Sequence, residues 1–428
     1  MVTQLTKISA IHPEIHDWLT HAISTSQWPV DVCLDFCGEQ HRYSNLMNAG
    51  PNPALTVRIH NPGVIRRLME ESDPLVMVEA LLNHQLSFTG AIDDAVSLYC
   101  CLASSDFKPT ANVMEWCHTL PPQVLGQERQ SAWTLLPPHS PERDKAVVQS
   151  HYDLGNEFFR LWLDDLMVYS CAHFEEPDMT LAAAQEAKLD LICRKLRLEP
   201  GEKFLDVGCG WGALLRWAAT HYGVVAQGIT LSEEQLAFNR KWIADEGLGD
   251  QITVELLDYR DLPQVPTYDK IASIGMVEHV GLRNYGIYFQ SILSALKPGG
   301  LFLNHGIVVN ELFEPEIKFI SRYIFPDGQC SQLTTYLKAA HAVGWEIVDV
   351  DSWRQHYAKT LRCWVANLEA AQNQAIALVG ERFKLWQLYL TLCAQGFEYG
   401  RTGIFQTLLR RAEDKHWNLP LARRHWLC

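Results

Sequence analysis

The sequence lacks any long apolar run, and this absence argues against a membrane span. Its 428 residues are 47% hydrophobic and 20% charged, which is typical of a folded globular chain and not of a disordered one. The apolar run that begins at Leu75 is broken by Glu79, well short of the ~20 residues that a transmembrane helix needs. Met1 to Ile11 contains one lysine and no apolar core, so we expect no secretory signal and a cytoplasmic location.

Positive charge is also scarce. Lys and Arg total 36 against 50 Asp and Glu, which gives a formal net charge of −14. Because binding to a nucleic-acid backbone needs concentrated Lys and Arg, we expect no nucleic-acid partner. The same charge argues against electrostatic adsorption to anionic lipid as the main membrane anchor.

Paired cysteines are missing, although the chain contains 12 cysteines. No Cys-x-x-Cys pair occurs, and Cys33 with Cys37 has no second ligand pair at a zinc-site spacing, so no metal site is predicted. In a reducing compartment such cysteines are typical of small buried apolar side chains. No repeat period is visible either, which argues against a solenoid or a propeller.

One proline-rich stretch divides the sequence. Residues 121–150 contain five prolines among polar residues, a composition that resists helix and sheet and therefore predicts a linker. Residues 1–120 combine a predicted strand at 54–59 with predicted helices at 62–70 and 92–102, so a small α+β domain is expected there. Residues 151–428 form the second predicted domain.

Strands and helices alternate in this second domain. Short apolar strands are predicted at 203–207, 224–230, 252–257, 270–275 and 301–309. Ser232 and Gln235 form a predicted capping box in which Gln235 reaches back to the helix start, and Gly247 ends that helix. A helical stripe from Tyr285 is predicted to stop at Pro298-Gly299-Gly300. The alternation predicts a doubly wound, Rossmann-like α/β domain with a parallel sheet covered on both faces.

A glycine-rich turn follows the first predicted strand. The segment Asp206-Val207-Gly208-Cys209-Gly210-Trp211-Gly212 lies where such folds bind ligands, although a tight turn without a ligand is the alternative. A dinucleotide site would need Gly-x-Gly-x-x-Gly and a carboxylate at the end of the second strand, which instead ends at Thr230. The spacing resembles motif I of S-adenosylmethionine-dependent methyltransferases, and Asp258 also fits that class. The Thr230 hydroxyl can replace the missing carboxylate by hydrogen-bonding a ribose hydroxyl.

Further motifs extend in order from about His151 to Arg411. They are His151-Tyr152-Asp153-Leu154-Gly155-Asn156-Glu157-Phe158-Phe159, Tyr169-Ser170-Cys171-Ala172, Phe204 to Gly212, Gly228-Ile229-Thr230-Leu231-Ser232, Asp258-Tyr259-Arg260-Asp261, Met276-Val277-Glu278-His279-Val280-Gly281, Tyr323-Ile324-Phe325-Pro326-Asp327-Gly328 and His356-Tyr357. Together they resemble the cyclopropane-fatty-acyl-phospholipid synthases and the related mycolic acid cyclopropane synthases. Residues 1–120 resemble the family's smaller lipid-associated domain only loosely, because Val78-Glu79-Ala80-Leu81 replaces its Gly-Glu-Ala-Tyr stretch.

The resemblance implies S-adenosylmethionine as the cofactor. The implied contacts are Tyr169, Ser170, Asp206, Gly208, Gly210, Gly212, Thr230, Gln235, Tyr259 and Arg260. Thr230 and Gln235 would lie on the ribose side, and Tyr259 with Arg260 near the adenine. For Gln235 the capping box is an equally good explanation.

The resemblance also implies methylene transfer to the cis double bond of a membrane phospholipid acyl chain. The alkene attacks the sulfonium methyl, and a water-excluding pocket with aromatic faces protects the resulting carbocation. A base then removes one proton to close the ring, and in this family the base is understood to be a bound bicarbonate.

Five positions match the family's bicarbonate site. Side chains would come from Glu278, His305 and Tyr357, and mainly main-chain groups from Cys171 and Ile307. Glu278 would share a proton with the ion because two adjacent anions repel. Each residue taken singly also has an ordinary structural explanation, such as helix capping by Glu278.

Two further residues, Cys393 and His279, have weaker links to the predicted site. Cys393 matches a cysteine sometimes proposed as catalytic, but an electrophilic methyl donor needs no covalent nucleophile, so Cys393 is predicted to lie near the site or to be merely buried. His279, adjacent to Glu278, is given no role.

Two other functions stay open: a related C-methyltransferase that gives a methyl-branched or methylene product, and a non-catalytic lipid-binding protein.

A membrane-embedded substrate implies peripheral contact with the inner face of the membrane. Residues 410–424 carry five Lys or Arg, with Trp417 within the stretch and Trp426 just beyond it, so this tail either contacts the bilayer or is solvated or packed on the protein. Nothing in the sequence decides between a monomer and a homodimer.

Overall fold

A computed structural model describes residues 11–47, 49–105, 108–122, 136–152, 154–417 and 419–425. The chain divides into two compact units. The first comprises residues 1–130, 314–319 and 381–392, and the second comprises 131–313, 320–380 and 393–428. Each unit is therefore assembled from three separate stretches of the chain.

The first unit is built around a four-stranded sheet. Its strands are β1 (Asp31–Phe36), β2 (Glu39–Ser44), β3 (Leu55–Ile59) and β4 (Leu86–Gly90), in the order β2-β1-β3-β4. Its helices are α1 (Pro13–Ser24), α2 (Gly63–Glu71), α3 (Leu75–Leu82), α4 (Ile92–Ala103) and α5 (Ala111–Thr119). Only β1 and β3 pair in parallel, and the other two pairs are antiparallel. The predicted strand at 54–59 and the two predicted helices are confirmed.

The following elements belong mainly to the second unit. The helices are α6 (Pro141–Tyr152), α7 (Asn156–Arg160), α8 (Leu181–Leu196), α9 (Ala213–Tyr222), α10 (Glu233–Asp245), α11 (Tyr285–Ala295), α12 (Glu314–Tyr323), α13 (Leu333–Val343), α14 (Arg354–Ala370), α15 (Gln372–Val379) and α16 (Arg382–Glu398). The strands are β5 (Lys203–Val207), β6 (Val225–Thr230), β7 (Ile252–Leu256), β8 (Tyr268–Ile274), β9 (Leu296–Val309), β10 (Trp345–Ser352) and β11 (Thr402–Arg411). Helices α12 and α16 are exceptions, because residues 314–319 of α12 and 382–392 of α16, the larger part of each, are assigned to the first unit.

The second unit contains a seven-stranded sheet in the order β10-β11-β9-β8-β5-β6-β7. Strands β5 to β9 are parallel, while β11 pairs antiparallel with β9 and β10. Neighbouring residues of β5 enter different cores: Phe204 packs with apolar residues of α8 and α9, and Leu205 packs with those of α11. The predicted doubly wound, Rossmann-like α/β domain, covered on both faces, is confirmed.

Two local predictions are wrong. The stretch 121–150 was expected to avoid helix, yet Pro141–Tyr152 form α6; residues 123–135 of that stretch lie outside the described residues. Pro141 suits a first helical position, and the Ser140 hydroxyl accepts the Arg143 N–H as a cap. Pro298-Gly299-Gly300 do not stop the helix, because α11 already ends at Ala295 and β9 begins at Leu296. They lie in β9 at a register shift, where Tyr268 pairs with Leu296 and Lys270 pairs with Leu301.

Among the residues that the structure describes, none of the helices combines the length and the apolar character needed to cross a membrane.

Candidate cofactor pocket and active site

A cavity of about 160 Å³ opens at the carboxyl ends of β5, β6, β7 and β8. This is where parallel α/β sheets hold ligands, because the loops after the strands diverge there. Eight predicted cofactor residues line it: Tyr169, Ser170, Asp206, Gly208, Gly210, Thr230, Gln235 and Tyr259. Of the other two, Gly212 lies between the wall residues Trp211 and Ala213, and Arg260 follows Tyr259.

The glycine turn has the backbone conformation that its sequence predicts. Gly208, Gly210 and Gly212 have φ values of +82°, +54° and +83°, in the left-handed region that side chains disfavour. A Cβ on Gly210 would meet no protein atom within 4 Å, whereas a Cβ on Gly212 would lie 2.0 Å from Asn239 Oδ1. Gly210 thus leaves room beside the cavity, and Gly212 allows helix α10 to approach the turn.

Asp206, at the end of β5, is a buried carboxyl group on the cavity wall. Its side chain is 3% exposed, and its Oδ1 has no hydrogen-bond partner in the part of the chain that the structure describes. Burial raises the pKa of Asp206 to about 7, while nearby Lys188 opposes the shift. A buried carboxylate oxygen on a cavity wall suits a cationic ligand group, and S-adenosylmethionine has two, its sulfonium and its α-ammonium. The residues present therefore fit this cofactor.

The predicted capping box is only partly correct. Ser232 caps α10, since its hydroxyl accepts the Gln235 N–H at 3.2 Å. The Ser232 N–H donates to the Thr230 hydroxyl at 3.1 Å, and that hydroxyl donates to Gln235 Oε1 at 2.8 Å. The prediction that Gln235 reaches back to Ser232 is wrong because Thr230 stands between them. Thr230 and Gln235 act as one hydrogen-bonded pair on the cavity wall.

The predicted adenine side is reinforced by helix α6. The Tyr259 ring lies under the Arg260 guanidinium, 4.9 Å from its carbon, and Asp258 accepts the Arg260 N–H at 2.9 Å. The Arg260 guanidinium also binds Asp144 of α6, which lines the cavity. Sequence reasoning missed Asp144 because the segment was predicted to be a linker.

His279 and Lys188 were also missed as cavity residues. His279 had been given no role, yet it lines the cavity, and burial lowers the pKa of its imidazole to about 4. Its place in the quoted motif around Glu278 was the available signal. Lys188, on the amphipathic helix α8, had no signal, because a lysine in such a helix is usually exposed.

Glu278 lies in a short turn directly after β8. Its Oε1 accepts the Ile307 main-chain N–H at 2.6 Å, so this donor of β9 is already used by the carboxylate. Its Oε2 has no hydrogen-bond partner among the described residues, and burial raises the pKa of the carboxyl to about 7. Glu278 can therefore exchange a proton near neutral pH.

His305 is a buried hydrogen-bond donor on β9. The Gln406 amide oxygen accepts from Lys195, so its nitrogen donates to His305 Nδ1 at 3.2 Å. This arrangement places the imidazole proton on Nε2, which has no partner within the described ranges. Burial, with nearby Lys188 and Lys195, holds the pKa of His305 well below its ordinary value. The neutral ring can donate through Nε2.

Tyr357 connects the remaining predicted residues. Its hydroxyl interacts electrostatically with Tyr169, Cys171, Glu278 and Cys393, and its burial raises its pKa well above the ordinary value. Cys171 is fully buried, and burial raises the pKa of its thiol, so it stays protonated. Cys393 is partly exposed. Tyr357 thus lies within electrostatic range of three predicted active-site residues and of the predicted cofactor residue Tyr169.

Comparison with known proteins agrees with this geometry. A family model described as mycolic acid cyclopropane synthetase matches residues 139–407. A probable fatty acid methyltransferase of Pseudomonas putida is 40% identical over 386 residues, 89% of this chain and 93% of the relative. The cyclopropane-fatty-acyl-phospholipid synthase of Escherichia coli K12 is 37% identical over 276 residues, 64% of this chain and 70% of the relative.

A solved structure shares the fold of much of the chain. The mycolic acid cyclopropane synthase CmaA1, complexed with SAH and CTAB, is 38% identical, with a TM-score of 0.60, and covers 62% of this chain and 98% of its own. The sequence motifs, the cavity and these likenesses agree on one assignment. The chain belongs to the mycolic acid cyclopropane synthetase family and is an S-adenosylmethionine-dependent methyltransferase.

Proposed function

We propose that the protein transfers a methylene group from S-adenosylmethionine to the cis double bond of an unsaturated phospholipid acyl chain, forming a cyclopropane ring. The observation that carries this proposal is that two predicted site residues, Glu278 and His305, are both buried with a polar atom left over. Each presents a polar atom, Oε2 and Nε2, without a hydrogen-bond partner in the described chain. An acceptor and a donor of this kind suit a small oxyanion such as bicarbonate, which the sequence resemblance also implies as the base.

Aromatic side chains surround the predicted reaction site. The Tyr169 ring centroid lies 5.3 Å from those of Trp162 and Trp364, and the Tyr357 centroid lies 6.0 Å from that of Trp364. When bound, S-adenosylmethionine supplies an electrophilic methyl group. Aromatic faces stabilise positive charge that develops on the lipid, and their bulk excludes the water that would capture it.

Removal of a proton from the transferred methyl group is the step that closes the ring. Glu278, with its pKa raised to about 7, would share a proton with the bound oxyanion, because burial disfavours two adjacent negative charges. The neutral His305 would donate to the same ion through Nε2. Cys171 stays a thiol and needs no nucleophilic role.

A second candidate is a C-methyltransferase whose product keeps a methyl branch or a methylene group. It is favoured by the Pseudomonas putida relative, which covers more of this chain than the Escherichia coli enzyme and is named only as a probable fatty acid methyltransferase. The two candidates share the cofactor and the lipid cation. They differ in what forms when the cation loses a proton: a C–C bond that closes the ring, or a C=C bond that leaves a methylene group or a methyl-branched alkene.

A membrane substrate requires peripheral contact with the inner face of the membrane from the cytoplasm. The C-terminal tail is a weak candidate for this contact because three of its arginines form ion pairs within the protein. Arg410 binds Glu346, Arg411 binds Glu413, and Arg423 binds Asp349 and Asp351. These pairs favour the packed-tail alternative. Trp426 lies outside the described residues.

The test uses cofactor deuterated on its methyl group and vesicles of unsaturated phosphatidylethanolamine. Mass spectrometry of the acyl chains should show two of the three deuterium atoms retained and the alkene signal lost. Retention of all three deuterium atoms would instead identify a methyl-branched product. Saturated vesicles serve as the control, and a preference for free oleate over phospholipid would overturn the substrate class.

A further inference from the structure

Helix α8 places a lysine inside the cofactor cavity. Lys188 is 2% exposed and lines the cavity beside Asp206 and Ser170. Burial lowers the pKa of Lys188 to about 8, which is the direction expected when an ammonium loses its water. A lysine is rarely buried unless charges or hydrogen bonds compensate it, so its partners indicate its role.

Lys188 donates from Nζ to the Ser170 hydroxyl oxygen at 2.9 Å. One turn earlier on α8, the Gln185 amide donates to the Ser170 main-chain oxygen at 2.9 Å. Two side chains of one helix therefore fix both the backbone and the hydroxyl of Ser170. An ammonium has no lone pair, so the Ser170 hydroxyl must accept from it and is left free to donate its own proton elsewhere.

Two buried carboxylates, Asp164 and Asp206, interact electrostatically with the ammonium. Asp164 accepts the Val168 N–H at 2.9 Å, and Asp206 lines the cavity with one oxygen unpartnered in the described chain. One cation against two carboxylates leaves this group of three side chains negative when both carboxylates are ionised. S-adenosylmethionine carries one more positive than negative group, so its binding would offset this excess. Its carboxylate, however, needs a donor in the same wall.

We propose that Lys188 is a positioning residue for the amino-acid end of the cofactor. Its hydrogen bond turns the Ser170 hydroxyl proton toward the cavity to meet the cofactor carboxylate, and its charge favours the ionised form of Asp206, which would bind the α-ammonium. The proposal rests on the cofactor site and is independent of the lipid substrate. Its failure would leave the proposed methylene transfer untouched.

The test compares two ligands that differ only at this end. S-adenosylhomocysteine carries the amino acid, and 5′-methylthioadenosine lacks it, so the latter reports on the rest of the pocket. In Lys188→Met we expect the Kd of S-adenosylhomocysteine to rise about tenfold or more by calorimetry, the loss typical of a charge-assisted hydrogen bond. The Kd of methylthioadenosine should change by less than about twofold.

Lys270→Met is the matched control. Lys270 is also buried, at 8% exposed, but its ammonium binds the Arg197 carbonyl oxygen and Glu202 instead of a cavity residue. This control should leave the ratio of the two affinities unchanged. In a Ser170→Ala background, Lys188→Met should raise the Kd of S-adenosylhomocysteine much less than it does in the parent. Equal weakening of both ligands, or full additivity of the two substitutions, would show a merely structural lysine and overturn the proposal.

Discussion

At the scale of single residues, the active site keeps ionisable groups where burial opposes their charge. Glu278 holds one main-chain hydrogen bond from Ile307, which is too little to offset the loss of water around a carboxylate. His305 avoids the same cost by staying neutral, with Gln406 setting which nitrogen carries the proton. Such groups favour function over stability, because a well-packed neutral side chain would cost less to bury.

Because burying the Glu278 charge costs stability, the effect of Glu278→Gln on the free energy of unfolding should depend on pH. The pKa of Glu278 is about 7 in the folded protein against an ordinary 4.5. Below pH 4.5 the carboxyl is protonated in both states and contributes no difference. As the pH rises to 7 the unfolded chain releases its proton first, so the parent loses stability and the loss is complete above pH 7.

The amide oxygen that this variant places at position 278 can accept the Ile307 hydrogen bond without any titration. We expect urea denaturation to show that the free energy of unfolding of the variant, relative to that of the parent, rises between pH 5 and 8 by roughly 3 kcal/mol at most. Glu234→Gln, at an exposed site on α10, is the control and should gain nothing. A constant difference across this pH range would show that Glu278 does not titrate with a raised pKa.

At the scale of elements, two nearby glycines in the turn between β5 and α9 have different roles, one in cofactor binding and the other in folding. Gly210 lines the cavity, whereas Gly212 contacts Asn239 of α10. Asn239 donates to the Gly210 and Gln235 carbonyl oxygens, both at 2.8 Å, so it cannot move away without losing two buried hydrogen bonds. The turn therefore depends on α10 for its shape.

Alanine at each glycine tests this division. Both positions have positive φ, so each substitution carries a similar backbone strain of about 1 kcal/mol. Gly210→Ala should lose affinity for S-adenosylhomocysteine with little further loss of stability, because its Cβ meets no protein atom. Gly212→Ala should lower Tm much more, because its Cβ would collide with Asn239. Equal Tm losses, with unchanged affinity in Gly210→Ala, would refute this assignment.

The same elements show what sequence patterns can and cannot predict. Strand β5 was predicted at its observed bounds, because a short apolar run ends at glycine and local chemistry alone decides it. Helix α6 was missed because its prolines suggested a linker, although Pro141 suits a helix start once Ser140 caps it. Lys188 was missed because its burial depends on Asp164 and Asp206, which only tertiary packing brings to it.

At the scale of the whole molecule, the net negative charge disfavours approach to an anionic membrane, where the proposed substrate lies. The chain carries a net charge of −14, yet its proposed substrate lies in a bilayer. The Arg410, Arg411 and Arg423 side chains of the tail bind carboxylates of the protein itself, which removes much of the local positive charge that could attract lipid. Apolar contact is then the remaining source of membrane affinity.

We therefore expect weaker binding to anionic than to zwitterionic vesicles at low salt. A net negative protein is repelled by an anionic surface over a Debye length of about 30 Å at 0.01 M salt, which shrinks to about 8 Å at 0.15 M. Co-sedimentation with phosphatidylcholine vesicles, with and without phosphatidylglycerol, should show a difference in the bound fraction that narrows as salt is added.

Stronger binding to the anionic vesicles would contradict this expectation and would make the tail a candidate for the contact. A chain that ends after Arg411 would then decide, since loss of that binding would assign it to residues 412–428, and its retention would place the contact elsewhere on the protein.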